Sequence, residues 1–447
     1  MAVDRRLFLR GLAGTSGLAL LDPRSATAGL RPLPRPEESG IAHIVVVMME
    51  NRSFDHLLGW LPGSRGRQAG LLYADRDGRI RMTHPLRPDR TGCGHPDPSH
   101  SWEGGRQQWN GGLMDGFLRS GANDEYAIGY YREADRPFTG QLARHYTTCD
   151  RYHCAILGPT FPNRIFQHAG QTDRIANSFE RAGLTTIWDR LAAAGVSRRY
   201  YYSNLPFVAL LGRRHRAISR LFGEFLRDAA AGTLPAVSFV DPRFTLLPNA
   251  SFGNDDHPHA DIARGDAFLS RVFHALAEGP GWPGTVLVVN YDEWGGFFDH
   301  VPPPRRVAPN EADPDLEDGK ALLGFRVPCI VASPFSRGRW LSPRISRLTY
   351  DHTSVLKLIE WRHGLRPLTA RDASMPNLAW ALDFSDPDPM VPALPRPIAP
   401  LPTVCTAGES ASAAAAPAAG REGDGEAGDL WTGFRDSGVA EGWPIAP

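Results

Sequence analysis

Three short apolar runs constrain this chain more than any other feature: Ile44-Val45-Val46-Val47, Thr285-Val286-Leu287-Val288-Val289 and Val327-Pro328-Cys329-Ile330-Val331. Each is continuous rather than alternating and rich in β-branched residues, the pattern of strands buried on both faces. Amphipathic stretches over 186–194 and 266–277 have apolar residues at helical spacing and supply layers to cover such strands. The sum predicts an α/β fold, a three-layer α/β/α sandwich around a mainly parallel central sheet. No linker rich in Gly, Ser and Pro divides residues 29–405, which read as one domain. From 406 to 447 the composition turns to Ala, Gly, Ser and Glu, with 413–419 nearly pure alanine and proline, and this tail is read as disordered.

The N-terminus reads as an address. Arg5-Arg6 with Phe8-Leu9 precedes a weakly apolar run over 11–21 and then Ser25-Ala26-Thr27-Ala28. A charged flank, an apolar stretch too short to span a bilayer and an Ala-x-Ala site together predict a twin-arginine signal over 1–28, with the mature chain beginning at Gly29. The expectation is export by the twin-arginine machinery to the cell envelope or medium. No later apolar run approaches the ~20 residues of a membrane helix, so contact with a membrane would be at its surface and transient.

Charge removes other classes. Lys and Arg number 49 and Asp and Glu number 49, so no basic field is available to hold nucleic acid. The only lysines are Lys320 and Lys357, and neither stands in the Gly-Lys-Ser/Thr context of a P-loop. Because nearly every cation is arginine, arginine clusters carry little weight as site markers. The five cysteines, Cys93, Cys149, Cys154, Cys329 and Cys405, form no Cys-x-x-Cys pattern and permit at most two disulfides. In an oxidising compartment Cys149 and Cys154 are candidates for a local bridge, whereas Cys329 sits in an apolar run and reads as a buried thiol.

Chemistry begins where the strands end. Glu50 and Asn51 follow the first run directly, and Asp292 and Glu293 follow the second. Ligands in open α/β sheets bind at the carboxyl ends of strands, so these four side chains are expected to converge. Three carboxylates and an amide brought together need a cation, and an all-oxygen set suits a hard divalent ion, with Ca2+ among those that fit. For either pair alone, capping of the following helix is the competing explanation. Thr160, in Leu157-Gly158-Pro159-Thr160-Phe161-Pro162-Asn163-Arg164, places a hydroxyl in a stiff turn before a predicted helix, where it is either a nucleophile or a cap.

Three of these stretches, together with Gly295-Gly296-Phe297-Phe298-Asp299-His300 and Asp351-His352-Thr353, carry a resemblance. From about Ile41 to Leu365 the chain resembles the bacterial phospholipase C and acid phosphatase A phosphoesterase family of the alkaline phosphatase superfamily. The resemblance implies an alkaline-phosphatase-type sandwich and one metal ion held by Glu50, Asn51, Thr160, Asp292 and Glu293, with Thr160 as nucleophile. By motif and order it also implies pocket histidines at His100 and His257, with Asp256 orienting its neighbourhood. The expected reaction is hydrolysis of a phospholipid or small phosphoester through a phospho-threonine, His257 or His100 protonating the leaving group or holding phosphoryl oxygens.

Alternatives stay open at this level. Within enzymes, a broad phosphomonoesterase or phosphodiesterase competes with a phospholipase C. Outside them, the same carboxylates could hold a structural cation in an exported binding protein. Cys93, His95 and His100 could ligate zinc, although the spacing matches no standard finger and a fourth ligand is missing. No Gly-x-Ser-x-Gly elbow or His-Glu-x-x-His helix is present, which disfavours an ordinary esterase or a zincin protease. Head-group choice is left open; a quaternary ammonium would need an aromatic cage, for which Trp102, Trp109, Tyr126, Tyr130 and Tyr131 are the candidates. The roles of His300 and His352 are likewise undecided.

Overall fold

The apolar runs become the centre of one eight-stranded sheet. The computed structural model describes residues 31–246, 252–402 and 427–445. The sheet strands in chain order are β1 (His43–Met49), β2 (Thr147–Cys149), β3 (Arg198–Tyr202), β4 (Ser219–Leu221), β5 (Val237–Asp241), β6 (Thr285–Tyr291), β7 (Cys329–Ala332) and β8 (Ile345–Ser346). They lie side by side as β8-β2-β7-β6-β1-β5-β3-β4. β1 runs parallel to β6 on one side and to β5 on the other. Only β7 runs against its neighbours, β6 and β2. The third apolar run was expected to join the parallel set; instead it forms this reversed strand, and it begins only after Pro328, which has no N–H to give a ladder. An apolar run reports burial on both faces and carries no signal of direction.

β1 (after His43), β5, β6 and β7 are buried throughout, so both faces of the sheet are covered. The covering helices include α1 (Phe54–Leu58), α2 (Trp102–Trp109), α3 (Pro137–His145), α4 (Thr160–Ala169), α5 (Ile187–Ala193), α6 (Phe222–Ala231), α7 (Ile262–Ala277), α8 (His352–His363), α9 (Ala370–Ser374) and α10 (Ala427–Asp436). α7 packs on α3 and α6, and α4 packs on α5 and α8. Both predicted amphipathic stretches are helical. Thr186 and Asp189 form a capping box that starts α5, and Asp261 caps α7 through the Ala263 N–H. The structure is therefore α/β with a mainly parallel sheet.

Two expectations need correction. The tail is not disordered throughout: α10 buries Leu430, Trp431 and Phe434, and Trp443 is buried beyond it. Its Ala/Gly-rich composition concealed an apolar face at i, i+1 and i+4. No bridge joins Cys149 to Cys154; both are buried free thiols, as is Cys329, while Cys93 is disulfide-bonded. The signal over 1–28, the start at Gly29 and residues 406–426 of the tail lie outside the described residues. No helix among the described residues is long and apolar enough to cross a membrane.

Glu360 on α8 is buried beside Asp372, one of its oxygens lacks a partner, and burial followed by the Asp372 carboxyl pushes its pKa up to about 9. A carboxyl raised in the folded state favours folding fully below its unfolded pKa, and that contribution is lost as pH rises towards 9. Glu360→Gln should therefore raise stability by about 2 kcal/mol at pH 8 and by nothing at pH 4. Thermal unfolding at both values checks this; equal gains at the two would remove ionisation as the cause.

Candidate active site

The register of β1 on β6 pairs Met49 with Tyr291, so the residues that follow, Glu50-Asn51 and Asp292-Glu293, leave the sheet side by side. Asn51 takes a left-handed backbone (φ +54°), which Asn tolerates better than most residues. Its N–H donates to Asp292 Oδ1 at 3.0 Å, and the Glu293 N–H donates to the same oxygen at 2.7 Å. Gly295 (φ +63°) donates to Glu293 Oε2 at 2.6 Å, and a Cβ there would stand 2.2 Å from the Asn51 carbonyl oxygen. The glycine is required by this close approach. Capping of α1 falls to Ser53, whose hydroxyl accepts from the His56 N–H, so neither acidic pair is a cap.

Thr160 is the first residue of α4, and Pro159 at the cap position offers no side-chain bond. The Asn163 amide donates to the carbonyls of Ile156, Gly158 and Pro159 and fixes the turn. Thr160 Oγ1 is thus not a cap, and it is buried with no hydrogen-bond partner. One turn along the same face, Arg164 Nε–H donates to Glu50 Oε1 at 2.6 Å. The guanidinium also lies 3.4 Å from Asp292 Oδ2 and 3.3 Å from Asp241 Oδ1. This cation locks α4, the helix that Thr160 begins, to the ends of β1, β5 and β6.

The electrostatics are unbalanced. Glu50, Asp292 and Glu293 are all fully buried. Burial first, and then the neighbouring carboxylates, hold Asp292 and Glu293 well above the usual carboxylate range; Arg164 opposes this at Asp292. Asn51 Oδ1, Thr160 Oγ1, Asp292 Oδ2 and Glu293 Oε1 are buried and accept no hydrogen bond, Asp292 Oδ2 having only its ion pair with Arg164. These four oxygens, drawn from four of the five predicted ligands, have the donor chemistry that suits a hard divalent cation, and beside them Asp97, His100 and His257 bring one ligand atom each within 4.8 Å of one another. Glu50 differs, because Oε1 accepts from Arg164 and Oε2 accepts from Trp431 Nε1–H at 3.2 Å.

Two histidines complete the pocket. His100 Nδ1–H donates to the Pro98 carbonyl at 2.7 Å, and His257 Nδ1–H donates to the Pro258 carbonyl at 2.9 Å. A carbonyl only accepts, so each Nδ1 carries the proton and each Nε2 is left to face the site. His100 Nε2 lies 3.5 Å from Asn51 Nδ2 and 3.8 Å from Glu293 Oε1. His257 Nε2 is unpartnered and 3.9 Å from Asp97 Oδ2; the rings sit 6.1 Å apart. Burial, the largest influence, lowers the His257 pKa, and Asp97 pulls it back up.

Other sequence candidates go elsewhere. Asp256 is not brought into the group: its carboxylate pairs with Arg136 at 2.7 Å and accepts from the Tyr291 hydroxyl. His300 joins Asp55 and Asp299, a trio whose ligand atoms lie within 4.8 Å of one another, and Arg326 pairs with both carboxylates at 3.0 and 2.9 Å. His352 serves the site indirectly, donating from Nε2–H to the Asp292 carbonyl at 2.6 Å while Tyr152 hydroxyl lies 3.1 Å from its Nδ1. Its partner Asp351 caps α8. The zinc reading falls because Cys93 is in a disulfide and His95 Nδ1 faces Asp124 at 2.7 Å. Nor is the aromatic cage assembled: Tyr126 and Tyr131 are core residues, and Arg106 covers the Trp102 ring at 3.3 Å.

Sequence reasoning missed Asp97, Arg164 and Trp431. Arg164 stood inside a quoted motif but was discounted with all arginines, and Asp97 stood three residues before His100. A buried Trp in a tail read by composition gave no signal.

The Phosphoesterase family matches residues 41–366. Phospholipase C A of Mycobacterium tuberculosis is 32% identical over 89% of this chain and 90% of its own length. Non-hemolytic phospholipase C of Pseudomonas aeruginosa is 33% identical over 86% of this chain and 64% of its own length. A protein in the alkaline phosphatase superfamily from Vibrio parahaemolyticus aligns over 78% of this chain and 73% of its own at 11% identity and a TM-score of 0.37. Matched over most of its length by both family and relatives, the chain belongs to the Phosphoesterase family and is a phosphoric ester hydrolase.

Proposed function

We propose that this chain is an exported, divalent-metal-dependent phospholipase C that works through a phospho-threonine. The observation that carries the reading is the set of buried oxygens on Asn51, Thr160, Asp292 and Glu293 that accept no hydrogen bond. The names of the relatives, phospholipases C from Mycobacterium tuberculosis and Pseudomonas aeruginosa, support a glycerophospholipid as substrate. The twin-arginine pattern supports export, with the cell envelope or medium as destination.

Glu50, Asn51, Thr160, Asp292 and Glu293 would hold one ion. When bound there, a hard divalent cation lowers the pKa of a neighbouring hydroxyl and neutralises charge on a phosphoryl oxygen. Thr160 enters as its alkoxide, its proton having passed to solvent, and Oγ1 bonds to phosphorus while the bond to the leaving oxygen breaks. His257 Nε2–H, charged beside Asp97, gives its proton to the departing alkoxide, and His100 Nε2 holds a phosphoryl oxygen. Water then attacks phosphorus with neutral His257 taking its proton, the bond from phosphorus to Oγ1 breaks, and Thr160 departs as its alkoxide while His257 regains its charged form.

Thr160→Ala should lower turnover about a thousandfold or more with the fold intact by circular dichroism. Near-full activity would exclude the covalent route. Wild-type protein should hold about one divalent ion per chain by elemental analysis, and Asp292→Ala should lose both ion and activity; a fully active, metal-free preparation would remove the metal from the reaction. Turnover of phosphatidylcholine should exceed that of a soluble phosphomonoester, and the reverse order would favour a phosphatase.

Protonated His257 is the acid, so activity should fall as pH rises through its pKa, which burial sets below the ordinary histidine value. His257→Ala should flatten that alkaline limb and slow alkyl esters far more than aryl esters, whose leaving groups need little protonation. His100→Ala should slow both alike. Equal losses for His257→Ala on matched esters would reassign it to holding oxygen.

A further inference from the structure

We infer that Trp431, on the C-terminal helix α10, is a positioning residue for the cation site, holding the Glu50 carboxylate in its ligating orientation. The inference rests on the metal reading above and concerns a residue of the chain's last segment.

The indole of Trp431 is fully buried, and its Nε1–H donates to Glu50 Oε2 at 3.2 Å. Arg164 takes the other oxygen of the same carboxylate. An indole N–H can only donate, so it fixes the direction of the Glu50 carboxylate and leaves Oε2 its second lone pair. The ring cannot swing away: it stacks on Phe244 at 3.7 Å with planes 11° apart, and Phe161, the neighbour of Thr160, meets its edge at 5.5 Å. α10 is anchored independently of this contact. Tyr202 hydroxyl donates to the Pro444 carbonyl at 2.6 Å, Arg181 to the Val439 carbonyl at 3.0 Å, and Trp443 Nε1–H to Ser219 Oγ at 3.2 Å. Gly433 lies so close to Phe179 that a Cβ there would meet the ring at 2.6 Å. Donors that orient a metal-binding carboxylate are worth about 10–100-fold in affinity.

The test is calorimetric titration of metal-stripped full-length protein with Ca2+ and with Mn2+. Trp431→Phe keeps a stacking ring and removes the N–H; its dissociation constant should rise about tenfold while the metal-free protein unfolds within a few degrees of wild type. Phe244→Leu, which disturbs packing and keeps the N–H, should change the constant less than twofold. In a Glu50→Gln background, adding Trp431→Phe should cost nothing further. Should Trp431→Phe fail to fold, Trp431→Leu supplies a second variant without the N–H. Wild-type affinity in Trp431→Phe, or an equal loss in Phe244→Leu, would overturn the inference and leave the metal site standing. Binding of neither ion by wild type would overturn the metal reading and this inference with it.

Discussion

Glu50, Asp292 and Glu293 are buried side by side at the ends of two hydrogen-bonded parallel strands, and the charge they would carry together is what the rest of the site is arranged around. Like charges in a low dielectric repel strongly, and desolvation penalises each one separately. Two devices offset this. Backbone N–H groups of Asn51, Glu293 and Gly295 donate into the carboxylates, and Arg164 inserts its guanidinium among Glu50, Asp292 and Asp241. Burial first, and then the neighbouring carboxylates, displace Asp292 and Glu293 towards their protonated forms, and burial pushes Asp241 up to about 6. One guanidinium does not offset four acids, and the proposed divalent ion would supply further positive charge.

That requirement explains local structure that would otherwise be costly. A left-handed Asn51, two consecutive glycines at φ +63° and +73°, and a threonine hydroxyl buried without a partner all reduce stability when considered alone. They occur together where the strand ends, the loop and the start of α4 meet, and the proposed cation would draw on all three. The surrounding network is correspondingly rigid. Asn290 donates to the Tyr152 hydroxyl, which lies within hydrogen-bond distance of His352 Nδ1, and His352 in turn fixes the Asp292 carbonyl. Burial takes the pKa of His352 down to about 4, so this relay stays neutral near neutral pH and keeps its direction.

Much of this was legible because strand hydrophobicity and the residues after a strand are local signals. β1 and β6 announced themselves as uninterrupted apolar runs, and the acidic pairs stood directly after them. What required three dimensions was not local. The direction of β7 depends on the path of the intervening chain, and the diversion of Asp256 to Arg136 depends on a residue some 120 positions away. Arg164 differs from dozens of other arginines only in what it touches. In the tail, composition averaged over many alanines hid the spacing of Leu430, Trp431 and Phe434, because burial is decided by a face and not by a mean.

The two sides of the site differ in kind. On one side Phe161, Phe207, Phe244 and Trp431 close an aromatic wall, with the Arg164 guanidinium 4.7 Å from the Phe244 ring centre, and these residues are fully buried or nearly so. On the other side stand His100, His257 and Asp97, and there the side chains of His100 and Asp97 keep 11% and 12% of their exposure. His257 is itself buried, so the part of this side that solvent reaches is His100 and Asp97. In the proposed reaction the alcohol would leave past His100 and Asp97, the side that solvent reaches.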